Sequence, residues 1–272
     1  MVSITREELR YNFLKTIIIR FDFQGVFEPE IENILPQIKK YLKLKGFKRY
    51  EKNKNNHIEI NVSDDNSSYP EVNKVQSREV HSFTNEDRGY VLDISSSFIC
   101  LNVSTTKYLP FEEYSAIISD IVDTCKKNID FFTITRIGIR KINICMLADK
   151  ERIKDFFSSK YFGYFEEVED INTLMSARKD VFFVNDYKVN LQCNIEQGNA
   201  NSERLFRVSL DMDIYIDNQS IIETAYNSDG LQKMNEILFD IYISTLTNDF
   251  LKALSGKNEK LFNGLIGVEQ NE

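Results

Sequence analysis

Asp211 and Asp213 stand two residues apart in RLFRVSLDMDIYID (204–217), where alternation sends them and Asp217 to one strand face and Phe206, Val208, Leu210, Met212, Ile214 and Ile216 to the other. A carboxylate pair so spaced can hold a divalent cation through oxygen ligands, as a metal-dependent hydrolase requires. A solvent-facing polar row gives the same pattern. In TRIGIRKIN (135–143), Arg136 and Arg140 share one side of the alternation, with Lys141 and Asn143 opposite. Two guanidinium groups so placed can clamp a carboxylate or phosphate. They can also pair across strands with acids such as Asp211 and Asp213, and this reading is preferred because such pairs commonly stabilise sheets.

The second chemical feature is charge. Residues 39–54, KKYLKLKGFKRYEKNK, hold eight bases against the single acid Glu51, a local charge of +7, while the rest of the chain has 26 bases and 41 acids. Alternation after Gly46 places Lys48, Tyr50, Lys52 and Lys54 on one strand face beside the end of a lysine-bearing helix. Lys39, Lys40, Lys43, Lys48, Arg49, Tyr50, Lys52 and Lys54 are therefore the candidate partner-binding residues. Such a surface can meet an acidic protein, or track a phosphate backbone with Tyr50 stacked on a base. It can equally be a solvated hairpin. Specific nucleic-acid domains are usually basic as a whole, whereas this chain carries -8, so a protein partner is expected first.

Other chemistries lack their signatures. No nucleophile elbow, phosphate loop or dinucleotide fingerprint occurs. Cys100, Cys125, Cys145 and Cys193 form no close pair and read as reduced core thiols. With His57 and His81 the only histidines, a Cys/His zinc site would have to gather distant ligands, so no metal site and no cofactor are expected. Apolar runs are short and broken by charge, and the N-terminal residues lack a secretory pattern. A cytoplasmic protein without membrane contact is expected, with homo-oligomerisation left open.

The elements that must position these residues are legible as periodicities. Lys15–Phe23 alternates as a strand, and a helix follows from Pro29 to Gly46 with a kink expected at Pro36. Alternating segments come next at 47–52, 57–63, 78–84, 90–95 and 98–104, with a turn expected at Asn53–Asn56 and a mobile loop over 63–77. Pro110 opens a second amphipathic helix. From residue 131 the order recurs: a strand over 132–146 with an irregularity at Gly138, a short helix over 149–157, strands at 181–184, 189–195 and 206–216, and a helix from Ser228 to Gly256. The predicted fold is α+β, with mainly antiparallel curved sheet and long amphipathic helices on one face. Two pseudo-repeated strand-helix-meander-helix halves, 1–130 and 131–272, are expected to pack as one unit, as either a single saddle or two lobes.

The succession of IIIRFDF (17–23), TRIGIRKIN (135–143), LDMD (210–213) and LFDIYISTLTNDFLKAL (238–254) resembles a sporadically distributed bacterial protein family of unassigned activity. The resemblance spans nearly the whole chain, although this sequence has RKIN where the family typically carries Arg-Tyr-Ile-Asn. No catalytic residue carries over. Patchy distribution implies a component of a bacterial defence or conflict system that works by binding a partner. The expected function is thus a non-enzymatic interaction or regulatory protein. Nucleic-acid binding and a hydrolase built on Asp211 and Asp213 are the alternatives.

Overall fold

Strand β2 (Leu14–Gln24) buries Ile17, Ile19, Phe21 and Phe23 while Ile18, Arg20 and Asp22 stay half-buried, so one face of the central strand is committed to a core. The structure is a computed structural model that describes residues 4–61, 71–104, 109–162, 175–200, 203–226 and 228–271. A short strand, β1 (Tyr11–Asn12), precedes β2. Helix α1 (Glu28–Leu44) begins where the Phe27 amide donates to Glu30 Oε2 at 2.8 Å, continues through Pro36, and turns its Ile31, Ile34, Leu35, Ile38 and Leu42 face inward. Strands β3 (Arg49–Asn61), β4 (Glu71–Asn85), β5 (Tyr90–Ile94) and β6 (Phe98–Ser104) follow. Helix α2 (Phe111–Asn128) carries Glu112 and Glu113 in its first turn and Lys126 and Lys127 in its last, in accord with its dipole.

Strand β7 (Thr133–Leu147) leads to short helices α3 (Ile153–Phe156) and α4 (Ser159–Phe162). Strands β8 (Met175–Val184), β9 (Tyr187–Ala200) and β10 (Glu203–Ile216) come next, then helices α5 (Gln219–Ala225), α6 (Ser228–Ser244) and α7 (Asn248–Leu254). Strands β11 (Leu265–Ile266) and β12 (Glu269–Gln270) complete the order. The molecule combines helices with a large antiparallel sheet of order β3-β4-β5-β6-β2-β7-β10-β9-β8, and β11 pairs with β7. Strands from both parts of the chain therefore share one sheet, joined at β2 and β7. One sheet face, including Ile19, Ile139, Leu191 and Leu210, enters a single core with Ile38 of α1, Ile118 of α2 and Leu238 of α6.

Four local expectations change. The Asn53–Asn56 stretch makes no turn: β3 runs through it because no glycine or proline interrupts it and each residue pairs with β4. Of the expected loop at 63–77, residues 63–70 lie outside the described residues, and from Glu71 onward the chain belongs to β4. Gly138 causes no break in the β7 register with β10 or β2; the β2 irregularities fall at Leu14/Thr16 and Asp22/Phe23. Gly138 instead leaves space beside the Arg136 guanidinium, where a Cβ would lie 3.2 Å from Nη1. The last helix divides after Ser244, because Thr245 Oγ1 donates back to the Tyr242 carbonyl and Thr247 Oγ1 caps α7 by accepting from the Phe250 amide. Among the described residues, no helix is long and apolar enough to cross a membrane.

Candidate functional site

The lysine-rich segment reaches the structure as a set of ion pairs. Lys48 meets Asp87 at 2.5 Å, Arg49 meets Glu51 and Glu86, Lys52 lies 2.8 Å from Glu32 and 2.7 Å from Glu79, and Lys54 is 4.0 Å from Glu79. Lys39 Nζ sits 3.6 Å over the Tyr50 ring, while Lys40 and Lys43 are exposed on α1. The structure brings Lys39, Tyr50 and Lys52 together at the α1–β3 junction, but Asp87, Glu86, Glu32 and Glu79 reduce the segment's +7 to +3. Long-range attraction for an anionic partner falls accordingly.

Asp211 and Asp213 are also engaged. Arg140 donates from Nε at 2.8 Å and Nη2 at 2.5 Å to the Asp211 carboxylate, and Arg136 reaches Asp213 at 3.4 Å and Asp22 at 3.5 Å. These are the cross-strand pairs expected from parity. They also occupy the carboxylates that a hydrolytic metal would use.

The unmet chemistry lies on the opposite face of the same strand. The inward row of β7 reads Ile137, Ile139, Lys141, Asn143, Cys145 and Leu147, two polar side chains inside an apolar series. Lys141 pairs in register with Ile17 and Met212, and its ammonium is carried under α6. It lies 7% exposed, with Nζ 2.5 Å from Asn235 Oδ1 and 5.6 Å from the Phe111 ring. Burial pushes its pKa well below 10.5, and the charge of Arg6 pushes the same way. No carboxylate forms an ion pair with it among the described residues.

A cavity of about 60 Å³ opens beside this amine. Lys141, Asn143, Met212 and Tyr242 form its buried floor, while Arg6, Asn12, Phe239 and Asn271 stand half-buried at the rim. The Tyr242 hydroxyl is buried and has no hydrogen-bond partner among the described residues. Arg6 is steered by its Nη2 bond to the Asn235 carbonyl at 3.0 Å and by the Phe239 ring at 4.8 Å. Asn143 is anchored on the Leu210 carbonyl at 3.3 Å, and Asn12 is bonded to Asn271 across the rim. Two cationic groups, a hydroxyl and several amides thus converge without an acid. The volume suits a few waters or one small anionic group.

Sequence reasoning placed Lys141 and Asn143 on the face opposite the arginines without assigning them a site. The available signal was their intrusion into the Ile137–Leu147 parity, which marks a helix-covered face.

No family model matches the sequence, and no curated protein matches it. Among solved structures, the di-domain ARO/CYC StfQ from the steffimycin biosynthetic pathway aligns over 91% of this chain and 98% of its own, at 7% identity and a TM-score of 0.20. Similarity that slight carries no argument about fold or function.

Proposed function

We propose that this chain is a binding protein whose ligand presents a small anionic group, a carboxylate or a phosphate, to Lys141 and Arg6. The carrying observation is the buried Lys141 amine, which has three donors when charged and one protein acceptor here, Asn235 Oδ1. A buried ammonium without a counter-ion is costly, and an anion in the adjoining cavity would supply both the charge and the acceptors. Tyr242 would donate its spare hydroxyl to the same ligand. Binding would restore the lysine's proton affinity, so uptake of a proton should accompany it.

Calorimetry with phosphate, acetate and malonate in two buffers of different ionisation enthalpy tests this reading. Saturable heat whose size depends on the buffer, lost in Lys141→Met, is expected. Absence of binding by any of the three at 10 mM, a ceiling of order 100 times the Kd of a tight site, would sink it.

A second reading keeps the expected protein partner but moves it from the lysine segment. Val181 and Phe183 are 53% and 70% exposed at alternate positions of β8, which ends the sheet path, and Met175, 63% exposed, shares their parity beyond Lys179 and Ala177. An edge strand with exposed apolar side chains is a template for strand addition by another polypeptide.

A further inference from the structure

At the other end of the sheet, β4 presents Glu79 and His81, two residues apart and therefore on one face, beneath the first residue of α1, Glu28. One ligand atom from each, two carboxylate oxygens and an imidazole nitrogen, lie within 4.8 Å of one another. His81 is 0% exposed. Its Nδ1 is 2.9 Å from the Tyr50 hydroxyl, and its Nε2 is buried with no hydrogen-bond partner among the described residues. Glu28 accepts from Ser96 Oγ on Oε1 at 2.7 Å, while its Oε2 is likewise buried and has no partner among the described residues. An unpaired imidazole nitrogen and an unpaired carboxylate oxygen, both buried atoms beside the half-buried Glu79, share one simple remedy, a cation.

We propose that Glu28, Glu79 and His81 form a binding site for a divalent first-row transition metal of the Zn²⁺ type. One imidazole and two carboxylates match the donor preference of such ions and leave a coordination position for water. Two carboxylates balance the ion's charge, so the filled site is neutral in its buried setting. Metal–ligand bonds of about 2.0–2.2 Å put tetrahedral donors roughly 3.3 Å apart, so the three groups close inward on loading, a movement within the reach of Glu28 and Glu79 rotamers. Burial and the neighbouring Lys52 charge lower the His81 pKa from its ordinary value, while Glu28 and Glu79 pull it the other way. Tyr50 orients the ring through the nitrogen that the metal does not use, the usual role of an outer partner. Lys52, 2.7 Å from Glu79, is the resident competitor, and it keeps Glu32 at 2.8 Å as an alternative partner when it yields.

The test uses the full chain stripped with a chelator and titrated with ZnCl₂, followed by calorimetry and by imidazole nitrogen NMR. The sequence has only His57 and His81, so their signals can be assigned by one substitution. One equivalent of Zn²⁺ should move the His81 Nε2 resonance, and His81→Gln or Glu28→Gln should weaken affinity by at least about 10–100-fold, the loss typical even of outer-shell changes. Circular dichroism establishes that each variant is folded. Should His81→Gln fail to fold, the half-buried Glu28→Gln and the wild-type NMR titration still decide. An unmoved His81 resonance at saturating Zn²⁺, or equal Zn²⁺ affinity in wild type and Glu28→Gln, overturns the site.

Discussion

Replacing Lys141 by methionine, which keeps an unbranched side chain out to Cε and removes the amine, should make the ligand-free protein more stable at neutral pH. Exchanging a buried charge for an apolar group of similar volume commonly gains about 1–4 kcal/mol. Asn235 Oδ1 loses its donor, which costs about 1 kcal/mol, so a net gain of up to about 3 kcal/mol is expected. In a protein of this size that corresponds to a rise in melting temperature of up to about 5 °C. The effect has a definite pH signature. Between the depressed folded pKa and 10.5, the unfolded chain holds a proton on this amine that the native chain has released, so native stability rises with pH through that window. Below the window the deficit is complete, and by about 10.5 it has gone. The advantage of Lys141→Met should therefore shrink steadily as pH is raised. Denaturant titrations of both proteins from pH 6 upward measure it. A variant that is less stable than wild type by a constant amount at every pH would refute the reasoning, because the amine would then be a net structural asset.

Two further outcomes follow from the fold. Phe183→Asp should abolish any strand-edge association, read as loss of concentration-dependent sedimentation or of capture of a protein partner, while leaving the melting temperature within about 1 °C, since exposed positions rarely affect stability; unchanged association would remove β8 from consideration. Burial raises the Cys100 thiol pKa to about 11 and those of Cys125 and Cys193 to about 12, and Cys145 is raised as well. At pH 8 a disulfide reagent should thus react slowly with the native protein and with all four thiols after unfolding. A fast phase in the native protein would show one of them to be open to solvent.

Parity along single strands made the sheet legible from sequence. Phe206 to Ile216 and Ile17 to Phe23 announced their buried faces, and Arg136 and Arg140 could be matched to Asp213 and Asp211 because opposed charges on neighbouring strands follow from alternation. What failed to appear was anything requiring contact between elements distant in sequence. The lysines of β3 read as a cationic surface because Glu32 belongs to a helix and Glu79 and Asp87 to a later hairpin. The Glu28–Glu79–His81 group was hidden for the same reason, as Glu28 lies some 50 positions before Glu79 and His81, and that neighbouring pair alone marks no site. Turn composition misled at Asn53–Asn56, where four polar residues without glycine or proline obey their ladder partners instead.

The mouth of the Lys141 cavity joins residues separated by almost the whole polypeptide: Asn12 is bonded to Asn271, β1 pairs with β12, and Lys15 meets Glu269. Such a seam closes a loop of 259 positions, so synthesis must have passed the final strand before the rim can form. The rim is held by a ladder of only two residues, short enough to fray, and its opening would bring water to Lys141 without disturbing the main sheet.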